Sequence, residues 1–404
     1  MQTDIAIIGA GPAGLGAAAE LGRIGAGHVT VIEREQVPGG VPRHCGHSPF
    51  GMREFHRIMG GKTYAARLTA AAEAGGATIM CNTTVTALAD GPELQLTGPE
   101  GTFTLSARAV LIATGTREAS RVQRMIGGQK PGGVIPTGAL QGLVHLNKQV
   151  PFRRPVILGT ELVSFSALLT CRQAGIKPVA MIEQGPHVIA RSPAALLPRV
   201  LGVPIHLNTN IAAIHGRERV TGVTLTGAQG GRELECDGVL LTGAFRSEAA
   251  LLAASGGVID TASTGPVVDS FGRISMPGYF AAGNLLRPVE TAGASWAEGK
   301  RAAHAIHAFL RDELPDRSLN QTLTIASDTI RYALPQHIAP SGPGRHQQIL
   351  LRVTRPVKGE LRLSQNGQII SRRRVNAMPE RRITLDLPEQ PGTGAFVLSL
   401  EEAA

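Results

Sequence analysis

Residues 4–33 carry the feature that most restricts what this chain can fold into. Asp4-Ile5-Ala6-Ile7-Ile8 is a short apolar run that stops at Gly9-Ala10-Gly11-Pro12-Ala13-Gly14. An Ala-rich stretch from Leu15 to about Ile24 follows at helical spacing, and a second apolar run, Val29-Thr30-Val31-Ile32, closes on Glu33. Each part has a mechanical reason: Gly9 makes the tight turn, Gly11 lets backbone approach a pyrophosphate, and Gly14 lets helix and strand pack closely. The helix start, Pro12-Ala13-Gly14, offers unpaired N–H groups and a positive dipole end to phosphates. Glu33, 24 positions after the first glycine, can accept hydrogen bonds from a ribose. A lone GxGxxG is a weak signal, but here it stands in its required context of strand, turn, helix, strand and acid.

The same arithmetic recurs 150 residues later. Val156-Ile157-Leu158 leads into Gly159, a helix-like stretch runs from Leu162 to Ala174, and Val179-Ala180-Met181-Ile182 ends on Glu183, again 24 positions after its glycine. Two such units imply two doubly wound domains. The second is altered where it would hold phosphate: Glu161 stands at the place of Gly11 and Ser164 at that of Gly14. A carboxylate about 4 Å from a phosphate is repelled by roughly 1 to 4 kcal/mol, depending on screening. The second unit is expected to keep the fold and to bind a nicotinamide nucleotide poorly or not at all.

Composition removes other classes. Of 40 basic residues 34 are Arg, scattered along the whole chain, and with only 14 aromatics there is no base-stacking platform, so the formal charge of +9 does not point to nucleic acid. Cys45, Cys81, Cys171 and Cys236 form no CxxC pair, which speaks against a zinc ribbon, an iron–sulfur site or a local redox disulfide and for reduced cytoplasmic thiols. No apolar run approaches the roughly 20 residues that span a bilayer. The expected location is the cytoplasm, with membrane association only through partners.

Two later segments decide which dinucleotide the first unit takes. Ala109-Val110-Leu111-Ile112 closes on Ala113-Thr114-Gly115, and Gly278-Tyr279-Phe280-Ala281-Ala282 closes on Gly283-Asn284, followed by Glu290-Thr291-Ala292-Gly293, which reads as a helix start. With the opening turn these three ordered motifs resemble the FAD domain of glutathione-reductase-type flavoproteins, over roughly residues 1–310. The resemblance implies an α/β fold with two dinucleotide-binding domains and the FAD domain discontinuous: FAD parts at 1–116 and 246–315, a degenerate nicotinamide-type domain at 117–245. It also implies that Gly9, Gly11, Pro12, Ala13 and Gly14 cradle the FAD pyrophosphate, that Glu33 with Arg34 lies by the adenosine, that Val85 meets the adenine through its backbone, and that Gly40, Arg43, Ala113, Thr114, Gly115, Gly283, Asn284, Thr291 and Ala292 line the cofactor. Asn284 replaces the usual Asp, and an amide still reaches the pyrophosphate or ribityl chain. The helix from Thr291 would direct its N–H groups at the flavin pyrimidine.

Disulfide reductases carry two cysteines in the loop after Glu33, whereas this loop, Gly39-Gly40-Val41-Pro42-Arg43-His44-Cys45-Gly46-His47-Ser48-Pro49-Phe50-Gly51, has Cys45 alone. That run, together with Gly159-Thr160-Glu161-Leu162 and the stretch from Ala281 to Gly293, resembles the flavoprotein subunits of heteromeric dehydrogenases, similar to opine oxidase, hydrogen cyanide synthase and anaerobic glycerol-3-phosphate dehydrogenase assemblies. The resemblance implies an electron-transferring FAD subunit, a second flavoprotein subunit that oxidises a small amino, imino or hydroxy substrate, and a small cysteine-rich or iron–sulfur partner. Any cluster must sit on that partner, since no cysteine follows Cys236. Two alternatives stand beside this reading: a self-sufficient NAD(P)H-dependent flavin reductase, and a scaffold whose FAD is structural.

The tail from about residue 320 to 404 alternates in β fashion, with Ile349–Val353, Leu361–Leu363, a turn at Asn366-Gly367, Ile383–Leu387 and Phe396–Leu400, and reads as a small antiparallel β domain that docks another subunit. No catalytic side chain is assigned; Arg43, His44 and His47 are the candidates near the flavin. Arg43 either stabilises reduced flavin or pairs with a carboxylate. His44, Cys45 and His47 lack a fourth donor for a metal and read as packing residues. His304 and His307 read as solvated helix positions, and Arg372, Arg373 and Arg374 as an exposed strand.

Overall fold

The computed structural model describes residues 1–190, 196–227, 231–389 and 392–403. Its first sheet is ordered Thr78–Met80, Val29–Ile32, Gln2–Ile8, Gly101–Ile112, Glu93–Gly98, Thr84–Ala89, with Tyr279–Ala281 added parallel to the end of Gly101–Ile112. The twelve-residue strand Gly101–Ile112 serves two layers. Its first half pairs antiparallel with Glu93–Gly98, and its second half runs parallel to both Gln2–Ile8 and Tyr279–Ala281. A parallel strand at the centre of such a sheet is buried on both faces. Ile5 and Ile7 accordingly join a core with Leu15, Leu21, Tyr64 and Ile306, while Ala6 and Ile8 join one with Val110, Ile112, Leu285 and Tyr332.

The helix Pro12–Arg23 packs along the helix Ala292–Leu310. Glycine sets the closeness of that contact: a Cβ on Gly299 would collide with the carbonyl of Ala13, and one on Gly16 would lie 2.6 Å from the carbonyl of Trp296.

The second unit repeats the plan on a smaller scale. Its parallel sheet is ordered Ile205–His206, Ala180–Ile182, Pro155–Leu158, Gly238–Leu241, Val134–Pro136, with the helix Leu162–Gln173 on one face and a four-stranded sheet containing Thr209–His215 and Gly222–Gly227 on the other. The third unit holds a five-stranded and a three-stranded sheet around a core of Ile349, Leu351, Leu361, Leu363, Phe396 and Leu398. One pairing departs from the antiparallel expectation: Gln321–Ile325 runs parallel to Phe396–Glu402. The expected architecture of two dinucleotide units, the first discontinuous, with a small β unit behind them, is the one observed.

Candidate functional site

The glycine turn of the first unit is built by close approach. Gly9 has φ +104° and donates to the carbonyl of Ile32 at 2.8 Å, and a Cβ there would sit 2.7 Å from the carbonyl of Ala113. A Cβ on Gly14 would collide with the carbonyl of Gly9, so only glycine lets the helix start this near the strand. Gly40 lies over Gly11, where its Cβ would be 2.8 Å from Gly11 Cα, and Gly283 lies on Ala13. Gly9, Gly11, Ala13, Gly14, Gly40, Ala113 and Gly283 therefore meet in one place, although they come from four segments of the chain.

Glu33 is buried, and its two oxygens accept from the N–H groups of Ala10 and Glu35, each at 2.9 Å. It pins the end of the second strand to the glycine turn, and its remaining lone pairs are what a ribose would use. Arg34 is exposed at this rim. Arg43 pairs with Glu35 at 3.3 Å and donates to the carbonyl of Val37. Val85 is in a strand, opposite Leu96, with its side chain in the core. Just before it, the N–H groups of Asn82 and Thr83 donate to the carbonyls of Glu35 and Glu33. Thr114 and Gly115 are held by the returning chain, Thr114 Oγ1 donating to Glu248 at 2.8 Å and Glu248 N–H to Gly115.

Thr291 caps the long helix, accepting from Ala294 N–H at 3.3 Å, with Ala292 its first residue. The start of that helix is not left to a cofactor alone: the carboxylate of Glu54, which accepts from Tyr64 Oη at 3.1 Å, lies against Gly293. Asn284 does not point free. Its Oδ1 accepts from Glu290 N–H at 2.6 Å and its Nδ2 donates to Glu290 O at 3.2 Å. This two-way clip requires an amide, because a carboxylate cannot donate, and it accounts for Asn at a place where the resemblance expects Asp.

The residues of the loop after Glu33 diverge. His47 stacks on Phe50, whose ring meets Tyr64, while His44 approaches Gly138 of the second unit. Burial pulls both imidazoles below their ordinary range, so they are neutral near pH 7. Cys45 Sγ contacts Val41 O and Gln141 Oε1, and burial pushes the thiol up to about 11. Cys45, Cys81, Cys171 and Cys236 are all free thiols. His304, half exposed on its helix, also has its Nε2 3.0 Å from Glu20, which takes Arg23 and Lys300 as well.

In the second unit Glu161 fills the place that is open in the first. Nothing lies within 4 Å of a Cβ on Gly11, whereas the Glu161 carboxylate presses on Gly243 and accepts from Ala244 N–H at 3.1 Å. Two residues that sequence reasoning passed over complete the plug. Glu118 accepts from Gly138 N–H at 2.8 Å and Gly243 N–H at 3.2 Å, and Arg124 donates to the carbonyls of Thr242 and Gly243 at 2.6 and 2.8 Å. Burial raises the carboxyls of Glu118 and Glu161, with Arg124 acting against it. Two surface clefts, of about 250 and 400 Å³, lie elsewhere, lined by Arg373–Ala377 with Arg381–Ile383 and by Arg273, Phe309, Asp312 and Leu314–Arg317.

Taken together, the discontinuous first unit, its glycine cradle and the smaller second unit define an oxidoreductase of the two-dinucleotide-domain class. The chain belongs to the pyridine nucleotide-disulphide oxidoreductase family, whose sequence pattern matches residues 3–299. Solved structures agree on the fold. Thioredoxin reductase from T. acidophilum is 23% identical, with a TM-score of 0.63 over 77% of this chain and 99% of that one. The NAD-dependent persulfide reductase from A. fulgidus is 17% identical, with a TM-score of 0.60 over 95% and 73%. L-proline dehydrogenase from P. horikoshii is 20% identical, with a TM-score of 0.60 over 77% of this chain and 56% of that one. No curated protein matches the sequence. The chain is thus an FAD-dependent oxidoreductase. The residues fit that cofactor: space stands open above Gly11, no side chain caps the helix Pro12–Arg23, and the buried Ser295 Oγ beside Gly283 has no partner within the protein. Among the described residues no helix is long and apolar enough to cross a membrane.

Proposed function

We propose that this chain is the electron-transferring, FAD-bearing subunit of a heteromeric dehydrogenase whose partner subunit oxidises a small amino, imino or hydroxy compound. The observation that carries the reading is Glu161, whose carboxylate fills the second cradle against Gly243 and Ala244. Bound FAD supplies two-electron exchange. The protein's part is to hold it: Gly9–Gly14 and the helix start take the pyrophosphate, Glu33 the ribose, and Gly40, Thr114, Gly115 and the segment from Gly283 to Ala292 the rest. The competing reading is a reductase driven by a nicotinamide nucleotide, as the similar NAD-dependent persulfide reductase is by name. Its nucleotide would have to occupy the plugged cradle, and dithiol chemistry would need a second cysteine beside Cys45. An iron–sulfur relay would sit on a small cysteine-rich partner.

An anaerobic titration of the purified chain with NADH, following the visible flavin band, tests this. The flavin is expected to stay oxidised. Rapid bleaching would place the reductase first.

A further inference from the structure

The motif Asn284-Leu285-Leu286-Arg287-Pro288-Val289-Glu290-Thr291 joins the strand Tyr279–Ala281 to the long helix and carries the third cofactor motif of the family. Connecting segments of this length are usually mobile on a protein surface. Here the C-terminal β unit grips it at four points. Tyr332 Oη donates to Pro288 O at 3.2 Å, Arg352 donates to Val289 O at 2.6 Å, and Arg382 pairs with Glu290 at 3.0 Å. The fourth grip is indirect. Glu298 is buried and accepts from Gly283 N–H at 2.9 Å and from Arg287 at 3.1 Å, while His346 Nε2 of the β unit lies 3.4 Å from its other oxygen and meets Arg301.

Tyr332 and Leu334 also enter the hydrophobic core beneath the first sheet, so the β unit is anchored to the layer that bears the cradle. Around this loop the guanidinium groups of Arg287, Arg301, Arg352 and Arg382 stand with two carboxylates, Glu290 and Glu298, and Glu298 accepts from Gly283 N–H. Burial and Arg301 pull His346 down to about 4, so it adds no charge.

We propose that the C-terminal β unit is part of the flavin site: through Tyr332, Arg352, Arg382 and His346 it fixes the loop 284–291, and thereby sets how tightly FAD is held and how easily it is reduced. These four are positioning residues, acting through Pro288, Val289, Glu290 and Glu298. The inference rests on FAD binding by the family and stands whether or not the chain is a subunit. It also changes the meaning of a deletion: removing the residues after about 320 would unclamp the loop as well as remove any docking surface.

The test uses the full chain with Tyr332→Phe, Arg352→Gln and the pair combined, and Arg355→Gln as control, since Arg355 pairs with Glu402 on the same unit at a distance from the loop. FAD dissociation constants come from titrating the apo chain, and midpoint potentials from dye equilibration. The double variant is expected to bind FAD about tenfold more weakly and to shift the potential by about 30 mV, the shift that corresponds to a tenfold change in the ratio of affinities for reduced and oxidised cofactor in a two-electron couple. The control should match the parent in both. If the double variant does not fold, Tyr332→Phe alone, which removes one oxygen, must still weaken FAD by about two- to fivefold. Unchanged affinity and potential in folded variants would overturn the proposal, as would equal changes in the control.

Discussion

The two cradles of this chain start from the same backbone and end in opposite states. Gly9 and Gly159 both hold a left-handed turn, at φ +104° and +118°, and both donate to the last residue of the neighbouring strand at 2.8 Å. Glu33 and Glu183 both pin that strand to the turn, the first through Ala10 N–H and the second through Thr160 Oγ1. The acid 24 positions on is therefore a structural tie in both copies, and cannot by itself report a bound ribose. What separates them is two positions further along the turn. Gly11 leaves space, and Glu161 fills it with a carboxylate that takes over Ala244 N–H. The turn is the same in both copies although the side chain at its third position differs.

Exchanging that residue is the harshest way to break the comparison. Gly11→Glu puts a side chain and a like charge where the proposed site takes the FAD pyrophosphate, and at about 4 kcal/mol the expected loss approaches a thousandfold in affinity. Flavin-to-protein ratio after purification, followed by FAD titration, reads it; a variant that keeps stoichiometric flavin would show that the cradle is not at Gly11. The reciprocal change is weaker, because Glu118 and Arg124 still hold Gly243. For Glu161→Gly an NADH affinity raised by about ten- to a hundredfold is expected from removing roughly 1.4 to 2.8 kcal/mol of obstruction. Quenching of protein fluorescence by NADH measures it, and an unchanged value would move the block to Glu118 and Arg124.

Both glycine turns, their strands and the discontinuous first unit were legible in the sequence because they depend on local period and on residue types with no substitute. Gly14 beneath Gly9 is such a place. The plug was half legible: Glu161 stands out against its counterpart, whereas Glu118 and Arg124 lie in a connecting segment and act only once the fold brings residues 118 and 243 together. The same limit hid the grip of the β unit on the loop 284–291. Arg287, Glu290 and Glu298 are visible as charges in a Gly- and Ala-rich stretch, but their partners Tyr332, His346, Arg352 and Arg382 lie some 40 to 100 residues away. The tie of Asn82 and Thr83 to Glu35 and Glu33 was likewise out of reach of the sequence, because it joins the ends of two strands some 50 residues apart.

The third motif has no counterpart in the second unit, and Asn284 tests whether it belongs to the working cradle. Asn284→Asp removes the donor to Glu290 O and leaves that carbonyl without its partner. The expected loss is about 1 to 3 kcal/mol of stability, seen as a lower urea midpoint, together with weaker FAD binding. Equal stability of the Asp variant would mean that the clip at Glu290 does not hold the loop.

The smallest contrast lies one helix back. Glu20 on the first helix and Thr170 on the second occupy the same place after their glycine turns, yet Glu20 binds Arg23, Lys300 and His304 while Thr170 donates to Ser166 O. Hydrogen bonding to Arg23, then the charge and donors of Lys300 and His304, hold the Glu20 carboxyl down at about 2, against burial, from an ordinary value of 4.5. A carboxyl lower in the folded than in the unfolded chain adds stability above its unfolded value and loses it as pH falls toward its folded one. The first unit should therefore weaken between pH about 4.5 and 2, by about 1 kcal/mol once the exposure of Arg23, Lys300 and His304 is allowed for. Trp296, the single tryptophan, packs on Gly16 of that same helix and reports it by fluorescence. In Glu20→Gln this pH-dependent component should disappear; if the acid shift of the Trp296 signal persists unchanged, the tie between the two helices is not the titrating element.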